Sequence, residues 1–557
     1  MNSEKTNTHE RLPADFIAAQ TAERAGVIEV RLGAAAPVAF GKSGVSSESG
    51  AFAWPSSPPI NSLVYDSREV SRGSLYFALP GLHVDGHDYI GDAVKRGAAA
   101  VVHQKELGEY LDGVLYIRVK DSRFAMSPLS AAFYDYPSRN MGIIGITGTE
   151  GKSTTVSLVY QLLKLAGKKT GFISTVQYAD GDSETWNPEH QTTPEAVAIH
   201  RLLAQMRKNG VEYVVLESSS HGLSKKTNRL GDVNFDVGVL TKVTHEHLEF
   251  HGTFEQYRSD KAELFRTLDA FPAKNHLLNG KLIPSFGVVN ADDPSADYFA
   301  AATVHKTYTF STKGVEADLS IKMLESGAGG NWYEVFDASA GKTITLRDQL
   351  PGSFNAANVL AALLVVSNLL SVEVESLSGY VALLKPVRGR MAPVEKGQPF
   401  EVIVDYAHTP SSFEAVLPPL KERVAPNGGR LITLFGSPGE RDTQKRFMQG
   451  EVAALHSDIV ILADEDPRGE VPMAILEDIA KGCFAACGAV PMVQGETLFL
   501  IPDRPTAIRK AFSLAKKGDL VLLLGKGHEN TIIYADKTIE YDEIKEAEAA
   551  LAESGYR

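Results

Sequence analysis

Residues 141–155 of this 557-residue chain read MGIIGITGTEGKSTT. The stretch has the pattern of an apolar strand, a glycine-containing turn and the start of a helix that carries Lys152 and Ser153. Gly148 and Gly151 allow backbone N–H groups to approach phosphate oxygens, while the lysine can reach the β- and γ-phosphates and the serine hydroxyl can bind Mg²⁺. The sequence therefore predicts a phosphate-binding loop between a strand and a helix.

Two residues make this loop unusual. Ile146 stands where the common P-loop pattern has glycine. Glu150 places a carboxylate beside the predicted phosphate site, and like charges repel at short range. We therefore expect either a nearby cation or an outward-pointing side chain at Glu150. Thr149 and Thr154 complete the predicted nucleotide loop.

Length and composition restrict the class of protein. The length predicts about three or four domains on the usual ~150-residue prior. A net charge of −13 argues against a general nucleic-acid-binding surface. Two cysteines, Cys483 and Cys487, are too few for a disulfide framework or a four-cysteine zinc site. No run of 18 apolar residues and no apolar signal core at the N-terminus is found, so we expect a cytoplasmic protein without a membrane span.

The chain divides into four predicted regions. Residues 1–58 are rich in Ala, Ser, Gly and Pro and are expected to form a partly disordered or loosely docked extension. Residues 59–140 predict a small α/β domain. Residues 141–386 alternate apolar strands with helices, as a mostly parallel sheet requires, and residues 387–557 form a third α/β domain.

The third domain repeats one arrangement. Its strands EVIVDY, RLITLF, DIVILAD and DLVLLLG each lead into a polar loop. Because ligands of doubly wound sheets bind beyond the carboxyl ends of the strands, we expect these loops to meet at one crevice. No GxGxxG motif follows a strand here, so a nicotinamide site is not supported.

A second group of candidate residues follows two strands of the central region. Glu217 ends the strand VEYVVLE, and His245, His247 and His251 follow the strand FDVGVLT. A carboxylate and histidines at strand ends indicate metal ligands. Alone, the H-x-H-x-x-x-H spacing would also suit zinc in a hydrolase that needs no ATP. The phosphate loop instead favours Mg²⁺ with oxygen ligands and one imidazole.

These motifs together resemble the Mur ligase superfamily, the ATP-dependent enzymes that build the peptide of bacterial cell-wall precursors. The resemblance rests on the phosphate loop and on ESSSHGL (217–223), TKVTHEHLEFHG (241–252) and SDKAELF (259–265). It implies a three-domain α/β architecture: a small N-terminal α/β domain, a central P-loop ATPase-like, mostly parallel sheet, and a C-terminal Rossmann-like domain.

The resemblance also implies a catalytic centre that uses ATP and Mg²⁺. Its catalytic residues would be Lys152, Glu217, His247 and Lys261. Glu217 and His247 would bind Mg²⁺ with Ser153, and Lys261 would be carbamylated by CO₂ and lie near the metal. Lys242 and Glu246 stand where the family usually has Asn and Asp.

Further motifs imply where the substrates bind. FGVVNADD, VRGRM and VDYAHTP imply ATP contacts by Asn290, Arg390, Asp405 and His408. Residues 64–90 closely resemble the first domain of MurE-type enzymes, which add the third residue of the stem peptide. That likeness implies precursor contacts by Ser67, Leu82, His83, Val84, Gln191, Thr192, Thr193, Ser219 and Arg229. It implies an amino-acid pocket formed by Arg441, Glu465, Asp466, Pro467, Arg468, Gly525 and Glu529.

The sequence is therefore interpreted as an ADP-forming ligase with an acyl-phosphate mechanism. It would add a diamino acid to UDP-N-acetylmuramoyl-L-alanyl-D-glutamate, and its domains would close to bring the reactants together. Arg468 favours meso-diaminopimelate, whereas Asp466, which replaces an Asn, leaves L-lysine or L-ornithine as the alternative. A folylpolyglutamate-synthase-like ligase would lack the first domain, and a P-loop switch would carry an N-K-x-D motif, which we do not find. We expect a monomer.

Overall fold

The computed structural model describes residues 10–39, 57–81, 84–187, 191–244, 248–272, 274, 277–278, 281–327, 330–486 and 491–557. The chain forms two compact units. The first comprises the described residues up to Glu325 with Trp332–Asp348 and Ser353–Leu384, and the second comprises Lys385–Arg557 with two short segments from residues 326–331 and 349–352. The first unit contains an N-terminal and a central sheet, and the second contains another, so the predicted α/β class is confirmed. The domain boundaries drawn from the sequence stay predictions.

The N-terminal sheet has six strands in the order β2-β1-β6-β5-β4-β3. Strands β3, β4, β5 and β6 are parallel, whereas β1 runs antiparallel to β6. The elements of this region are α1 (Pro13–Phe16), α2 (Ala19–Arg24), β1 (Val27–Leu32), β2 (Val38–Ala39), β3 (Ser62–Val64), β4 (Ser74–Phe77), α3 (Ile90–Lys95), β5 (Ala98–His103), β6 (Leu115–Val119) and α4 (Ser122–Phe133), with 3₁₀ helices at Ser67–Glu69, Gly86–Tyr89 and Pro137–Asn140.

The expectation of a loosely docked extension is wrong for residues 10–39. Phe16, Ile17 and Val30 are each at most 3% exposed and belong to the core of the N-terminal sheet. Strand β1 pairs with β6 over most of its length. The composition of residues 1–58 concealed this strand, because VIEVRL is a short apolar–polar pattern within an Ala- and Ser-rich segment, and its pairing partner is distant in sequence.

The central sheet has eleven strands in the order β10-β9-β8-β11-β7-β12-β15-β16-β17-β18-β19. Its elements are β7 (Gly142–Thr147), α5 (Lys152–Leu165), β8 (Thr170–Ile173), β9 (Gln177–Ala179), β10 (Glu184–Trp186), α6 (Ala196–Lys208), β11 (Tyr213–Glu217), α7 (Ser220–Leu223), β12 (Val237–Leu240), α8 (Leu248–His251), α9 (Phe254–Ala270), β13 (Leu277–Leu278), β14 (Lys281–Leu282), β15 (Phe286–Asn290), α10 (Ala296–Ala300), β16 (Thr307–Ser311), β17 (Leu319–Gly327), β18 (Gly330–Asp337), β19 (Lys342–Asp348), α11 (Asn355–Leu370) and α12 (Ser378–Val381), with a 3₁₀ helix at Val374–Leu377; β13 and β14 form a separate hairpin.

The strands from β8 to β17 in this order are parallel, as predicted. Strands β7, β8, β11, β12 and β15 are buried along their whole length, which explains their continuous apolar runs. Because the strands are parallel and adjacent, the residues that follow β11, β7, β12 and β15 lie side by side at one edge of the sheet. This edge carries the predicted phosphate loop.

The second unit is built on a six-stranded sheet in the order β20-β21-β25-β22-β23-β24. Strands β21, β25, β22, β23 and β24 are parallel, so the four predicted strands of this domain are confirmed. The elements are β20 (Ala392–Pro393), β21 (Glu401–Asp405), α13 (Pro410–Val424), β22 (Leu431–Phe435), α14 (Gln444–His456), β23 (Ile459–Leu462), α15 (Pro472–Ala485), β24 (Leu498–Leu500), α16 (Arg504–Leu514), β25 (Leu520–Leu524), β26 (Thr531–Ile533), β27 (Thr538–Glu540) and α17 (Glu543–Glu553), with a 3₁₀ helix at Ala425–Asn427.

Within the described ranges, no single helix is long and apolar enough to cross a membrane. One bent pair, Asn355–Leu370 with Val374–Val381, meets the requirement by length and composition only. Helix α11, the first of this pair, is buried along almost its entire length.

Candidate active site

The phosphate loop joins β7 to α5, as the sequence predicts. Gly151 is the N-cap of α5 with φ of +80°, a conformation that favours glycine. A Cβ at Gly151 would lie 2.5 Å from Oδ1 of Asn358, and a Cβ at Gly148 would overlap the hydroxyl of Thr241. Both glycines are therefore required by close neighbours, and the backbone N–H groups at the start of α5 are left to face an anion.

The first turn of α5 holds the predicted phosphate and metal residues. The Nζ atom of Lys152 donates to the carbonyl oxygen of Thr149 at 2.8 Å, so the amine lies over the loop. The hydroxyl of Ser153 is buried and donates to Oε1 of Glu217 at 2.9 Å. Thr154, also in this turn, is half-buried. The predicted metal ligands Ser153, on α5, and Glu217, at the end of β11, are thus brought together.

Glu217 connects the phosphate loop to the predicted precursor site. It ends β11 beside β7 and is 3% exposed. Its Oε2 accepts from the backbone N–H of Thr175 at 2.8 Å, which fixes the carboxylate. Its carbonyl oxygen accepts from the hydroxyl of Thr193 at 2.9 Å. The carboxylate of Glu217 therefore contacts the phosphate loop, and its carbonyl oxygen contacts the predicted precursor site.

Ser153 and Glu217 fit a magnesium ion. Mg²⁺ prefers oxygen ligands, and a hydroxyl and a carboxylate oxygen lie next to each other here in a buried position. His247, the third predicted ligand, lies outside the described residues. Among the residues that are described, no cluster of three or more His, Cys, Asp or Glu side chains could hold a metal ion.

Lys261 lies at the same edge of the sheet. It is on α9, is 2% exposed, and its Nζ donates to the carbonyl oxygen of Gly148 at 2.7 Å and lies 4.5 Å from the ring centre of Tyr257. A buried lysine on a phosphate loop is not the solvated helix cation that composition would suggest. Its carbamylation stays a prediction.

His251 has a structural environment. Its Nδ1 lies 2.7 Å from Asp260 and its Nε2 lies 3.1 Å from the hydroxyl of Ser220, and the side chain is fully buried. Both ring nitrogens are engaged, so His251 is not oriented as a zinc ligand. This arrangement gives the zinc-hydrolase alternative no support from the described part of the motif.

Asn290 ends β15, on the other side of the phosphate loop. Its Nδ2 donates to the carbonyl oxygen of Thr241 at 2.9 Å, and its Oδ1 accepts from the backbone N–H of Asp292. The hydroxyl of Thr241 in turn donates to the carbonyl oxygen of Glu150 at 2.5 Å and lies 3.2 Å from that of Thr147. Asn290 thus supports the loop through Thr241, and its predicted contact with adenine stays a prediction.

Three of the predicted precursor residues meet beside Glu217. The backbone N–H of Ser219 donates to the hydroxyl of Thr193 at 3.0 Å, and Nη1 of Arg229 donates to the carbonyl oxygen of Thr193 at 2.8 Å. Glu195, which the sequence did not single out, is 5% exposed and holds Arg229 at 2.9 Å and Arg123 at 3.1 Å. An acid two residues after the Thr-Thr pair was the available signal.

The remaining predicted precursor residues are not joined to this group by any described contact. Ser67 begins the 3₁₀ helix after β3, and Val84 is 58% exposed. Gln191, two residues before Thr193, is exposed, and Thr192, one residue before it, is half-buried. Leu82 and His83 lie outside the described residues.

The second unit brings its loops together, as expected from parallel strands. Lys526, after β25, is buried and pairs with Asp466, after β23, at 3.0 Å and with Glu529 at 2.6 Å. The hydroxyl of Tyr406, after β21, donates to Glu529 at 3.3 Å. The predicted convergence of the loops is therefore confirmed for three strands, and Lys526 is its centre.

The predicted ATP residues of this unit surround Tyr406. The guanidinium of Arg390 lies 4.6 Å from the centre of its ring, and Nδ1 of His408 is 3.0 Å from its carbonyl oxygen. Asp405 accepts from the backbone N–H groups of Met391 and Ala407, and burial raises the pKa of its carboxyl. Tyr406 is an additional candidate, which the VDYAHTP motif contained.

The residues predicted to bind the amino acid differ in how far they are buried and hydrogen-bonded. Burial raises the pKa of Glu465 to about 7, and its Oε2 has no hydrogen-bond partner within the described ranges. Gly525 has φ of +96° and packs beside Glu465. Arg441 is exposed on the loop after β22. Pro467 accepts at its carbonyl oxygen from the backbone of Glu470.

Arg468 has a distinctive environment. It adopts a left-handed backbone conformation with φ of +53°, and its N–H donates to the carbonyl oxygen of Ile533. Its buried Nε has no hydrogen-bond partner in the part of the chain that the structure describes. Asp466 is paired with Lys526 instead. The guanidinium is therefore not neutralised by the acid two residues before it.

Comparison with known proteins agrees with this organisation. Three family models match: "Mur ligase family, catalytic domain" over residues 59–134, "Mur ligase middle domain" over 146–366, and "Mur ligase, glutamate ligase domain" over 389–527. The chain is 50% identical over 503 residues to the UDP-N-acetylmuramyl-tripeptide synthetase of Treponema denticola, covering 87% of this chain and 92% of that protein.

Two further relatives name an amino acid. The chain is 38% identical to the UDP-N-acetylmuramoyl-L-alanyl-D-glutamate–2,6-diaminopimelate ligase of Geobacillus kaustophilus, over 89% of this chain and 96% of that protein. A solved structure of a ligase with the same named activity matches with a TM-score of 0.57 and 27% identity, over 90% of this chain and 96% of the other. The phosphate loop, the parallel central sheet and these matches together establish that the chain belongs to the Mur ligase family of ATP-dependent ligases.

Proposed function

We propose that this protein joins a diamino acid to UDP-N-acetylmuramoyl-L-alanyl-D-glutamate at the expense of ATP, as a tripeptide synthetase. The observation that carries the proposal is the double role of Glu217. Its carboxylate binds Ser153 of the phosphate loop, and its carbonyl oxygen binds Thr193 of the predicted precursor group, each at 2.9 Å. The γ-phosphate of ATP and the acceptor carboxylate would therefore bind next to each other, both close to this residue.

The proposed reaction begins at the glutamyl carboxylate. One of its oxygens attacks the γ-phosphorus, the bond to the β-phosphate oxygen breaks, and ADP leaves while an acyl phosphate forms. Lys152 and the N-terminal amides of α5 stabilise the charge on the transferred oxygens. Mg²⁺, when bound by Ser153 and Glu217, would supply further charge neutralisation. Arg229, held by Glu195, orients the precursor.

The second half of the reaction joins the amine to the activated carboxyl carbon. The amine of the diamino acid attacks that carbon, the tetrahedral intermediate releases phosphate, and the amine proton is lost. The unpartnered Oε2 of buried Glu465 is suited to receive an ammonium group of the incoming amino acid. We assign the amino-acid pocket to the group formed by Glu465, Asp466, Arg468 and Lys526.

We propose meso-diaminopimelate as the amino acid. Its distal carboxylate matches the guanidinium of Arg468, which has a buried Nε without a partner among the described residues. L-Lysine or L-ornithine is the second candidate, favoured by Glu465, because both end in an ammonium group without a carboxylate. Both candidates leave the ligase chemistry unchanged.

The test is phosphate release by the purified protein with ATP, Mg²⁺ and the dipeptide precursor. Meso-diaminopimelate, L-lysine and L-ornithine are compared, and UDP-N-acetylmuramoyl-L-alanine, which lacks the glutamate, is the control acceptor. We expect release only when the dipeptide precursor and a diamino acid are both present, with meso-diaminopimelate giving the highest kcat/KM. No dependence on the precursor would overturn the proposal, whereas preference for lysine or ornithine would overturn only the choice of amino acid.

The same preparation tests the predicted assembly and compartment. ATP and the nucleotide-linked precursor are small polar solutes, so we propose a cytoplasmic enzyme. We also propose that the enzyme is a monomer. Light scattering after size exclusion at working concentration would show a mass near 60.2 kDa if the monomer is correct, and twice that mass would contradict it.

A further inference from the structure

The acid in the phosphate loop has a basic neighbour. Oε2 of Glu150 lies 3.9 Å from Nζ of Lys242, and the two side chains are 36% and 53% exposed. Glu150 precedes the N-cap of α5, on the loop that would hold three phosphates. Lys242 follows β12, the strand next to β7 in the central sheet. These two residues are also unusual ones for the motifs in which they occur.

The backbone holds the two segments in a fixed register. The N–H of Thr149 donates to the carbonyl oxygen of Lys242 at 2.6 Å, and the hydroxyl of Thr241 donates to the carbonyl oxygen of Glu150 at 2.5 Å. The N–H of Thr244 donates to the hydroxyl of Thr149 at 3.0 Å. The main chain therefore holds the two residues side by side, and their side chains need only extend over the loop to meet.

The charges decide what this arrangement does. An uncompensated carboxylate beside the loop would repel the triphosphate, and the repulsion of like charges a few ångströms apart is felt even near solvent. The amine of Lys152 rests on the carbonyl oxygen of Thr149, and that of Lys261 on the carbonyl oxygen of Gly148. Lys242 forms an ion pair with Glu150.

We propose that Lys242 is a positioning residue that neutralises Glu150 and thereby allows an acidic phosphate loop to hold the triphosphate of a nucleotide. The inference rests on the proposed function, since it assumes that the loop binds ATP. It deepens that function by making nucleotide affinity depend on a pair of residues. It predicts that removing the charge of Lys242 alone weakens nucleotide binding, whereas removing the charges of Lys242 and Glu150 together does not.

The experiment measures nucleotide affinity in the full-length protein. Binding of Mg²⁺–ATP is followed by calorimetry for wild type, Lys242→Gln, Glu150→Gln and the double variant. We expect Lys242→Gln to raise Kd about tenfold, a size typical of removing one charge near a charged ligand. The double variant should recover to within about threefold of wild type, because no uncompensated carboxylate remains. Lys242→Arg should also retain affinity, because it keeps the positive charge.

A control variant and three further measurements separate this role from a purely structural one. Lys164→Gln is the matched control, since Lys164 is an exposed lysine paired with Glu184 at the other end of α5. It should leave Kd unchanged. The Lys242→Gln defect should shrink with added salt and appear in KM for ATP more than in kcat. Thermal unfolding midpoints of all variants should agree within a few degrees.

The outcomes are distinguishable. If wild type does not bind ATP, the proposed function fails, whatever the variants do. If wild type binds ATP and Lys242→Gln binds equally well, the inference is wrong and the function stands. If Lys242→Gln weakens binding but Glu150→Gln does not restore it, Lys242 contacts the nucleotide directly and the compensating role is wrong.

Discussion

Ser153 in the first turn of α5 donates its hydroxyl to the carboxylate of Glu217 at the end of β11, at 2.9 Å. The two residues are distant in the sequence and were predicted separately, one from the phosphate loop and the other from the end of an apolar strand. Their contact places a hydroxyl and a carboxylate where one divalent cation could be shared. The first prediction concerns this pair.

Replacing Ser153 with Ala should raise the Mg²⁺ concentration needed for half-maximal activity by at least about tenfold, because one oxygen ligand is lost. Activity at saturating Mg²⁺ should fall much less. Ser157→Ala, on the same helix, is the control, because its hydroxyl accepts from Gln161 instead. An unchanged Mg²⁺ dependence in Ser153→Ala would exclude the serine as a ligand.

Lys152→Ala should reduce ligation by more than ~10³-fold, since neutralising the charge of a transferring phosphoryl group contributes several kcal/mol. The fold should persist, because the amine contacts only the carbonyl oxygen of Thr149 among the described hydrogen bonds. Steady-state rates and a thermal unfolding curve check both statements. Near-normal turnover would remove the phosphate loop from the mechanism.

Lys261→Ala should be inactive and should recover part of its activity when a small carboxylic acid is added. The added acid can replace a carbamate at the metal, but it cannot replace an amine. Lys152→Ala is the control and should not respond. Intact mass measured in CO₂-containing buffer provides a direct check, and an unmodified, dispensable Lys261 would contradict the assignment.

Arg468→Ala should reduce kcat/KM for meso-diaminopimelate much more than kcat/KM for L-lysine. The difference should correspond to about 1.5 to 3 kcal/mol, the range for a hydrogen bond to a charged group. The measurement is kcat/KM for both amino acids. Arg468→Lys should lose an intermediate amount, because it keeps the charge without the planar fork. Equal losses for both amino acids would place Arg468 away from the distal carboxylate.

His200 on α6 predicts a pH-dependent stability. It is fully buried, neither ring nitrogen has a hydrogen-bond partner among the described residues, and burial lowers its pKa to about 3 from 6.5. Between about pH 6.5 and pH 3 the imidazole of His200 is therefore protonated in the unfolded chain but neutral in the folded protein. The stability contributed by the neutral ring is complete above pH 6.5 and is lost as the pH falls towards 3.

His200→Leu should therefore be less sensitive to acid than wild type. Between pH 8 and pH 5 the difference in the free energy of unfolding between the two proteins should change by about 2 kcal/mol in favour of the variant. Unfolding curves of the first compact unit at both pH values give this difference. His305→Gln, which removes a half-exposed histidine, is the control. Parallel acid sensitivity in wild type and His200→Leu would show that the ring is not the cause.

The sequence predicted those features that depend on local pattern and on strand order. The strand–loop–helix at residues 142–165 and the four strands of the second unit follow from continuous apolar runs that end in glycine or polar residues. Parallel pairing then requires their loops to meet, which is why Asp466 and Lys526 lie 3.0 Å apart. For Glu150 the sequence predicted either a nearby cation or an outward-pointing side chain, and only the structure shows that Lys242 lies 3.9 Å from its carboxylate.

The missed features depend on partners that are distant in sequence. Glu195 was not singled out, because only the structure shows that it holds Arg123 and Arg229 together. The role of Asp466 was also ambiguous, since the sequence could not show that Lys526 and not Arg468 neutralises it. Such pairings are set by how elements pack, and residue type alone does not reveal them.

Strand β1 determines how a shortened form of this protein would behave. The family match begins at residue 59, after β1 and β2, yet β1 covers the hydrogen-bonding edge of β6. A chain shortened to the matched region would leave the backbone groups of β6 and the apolar residues around Phe133 without their cover. Exposed sheet edges recruit strands from other molecules, so such a truncation would self-associate rather than remain dispersed.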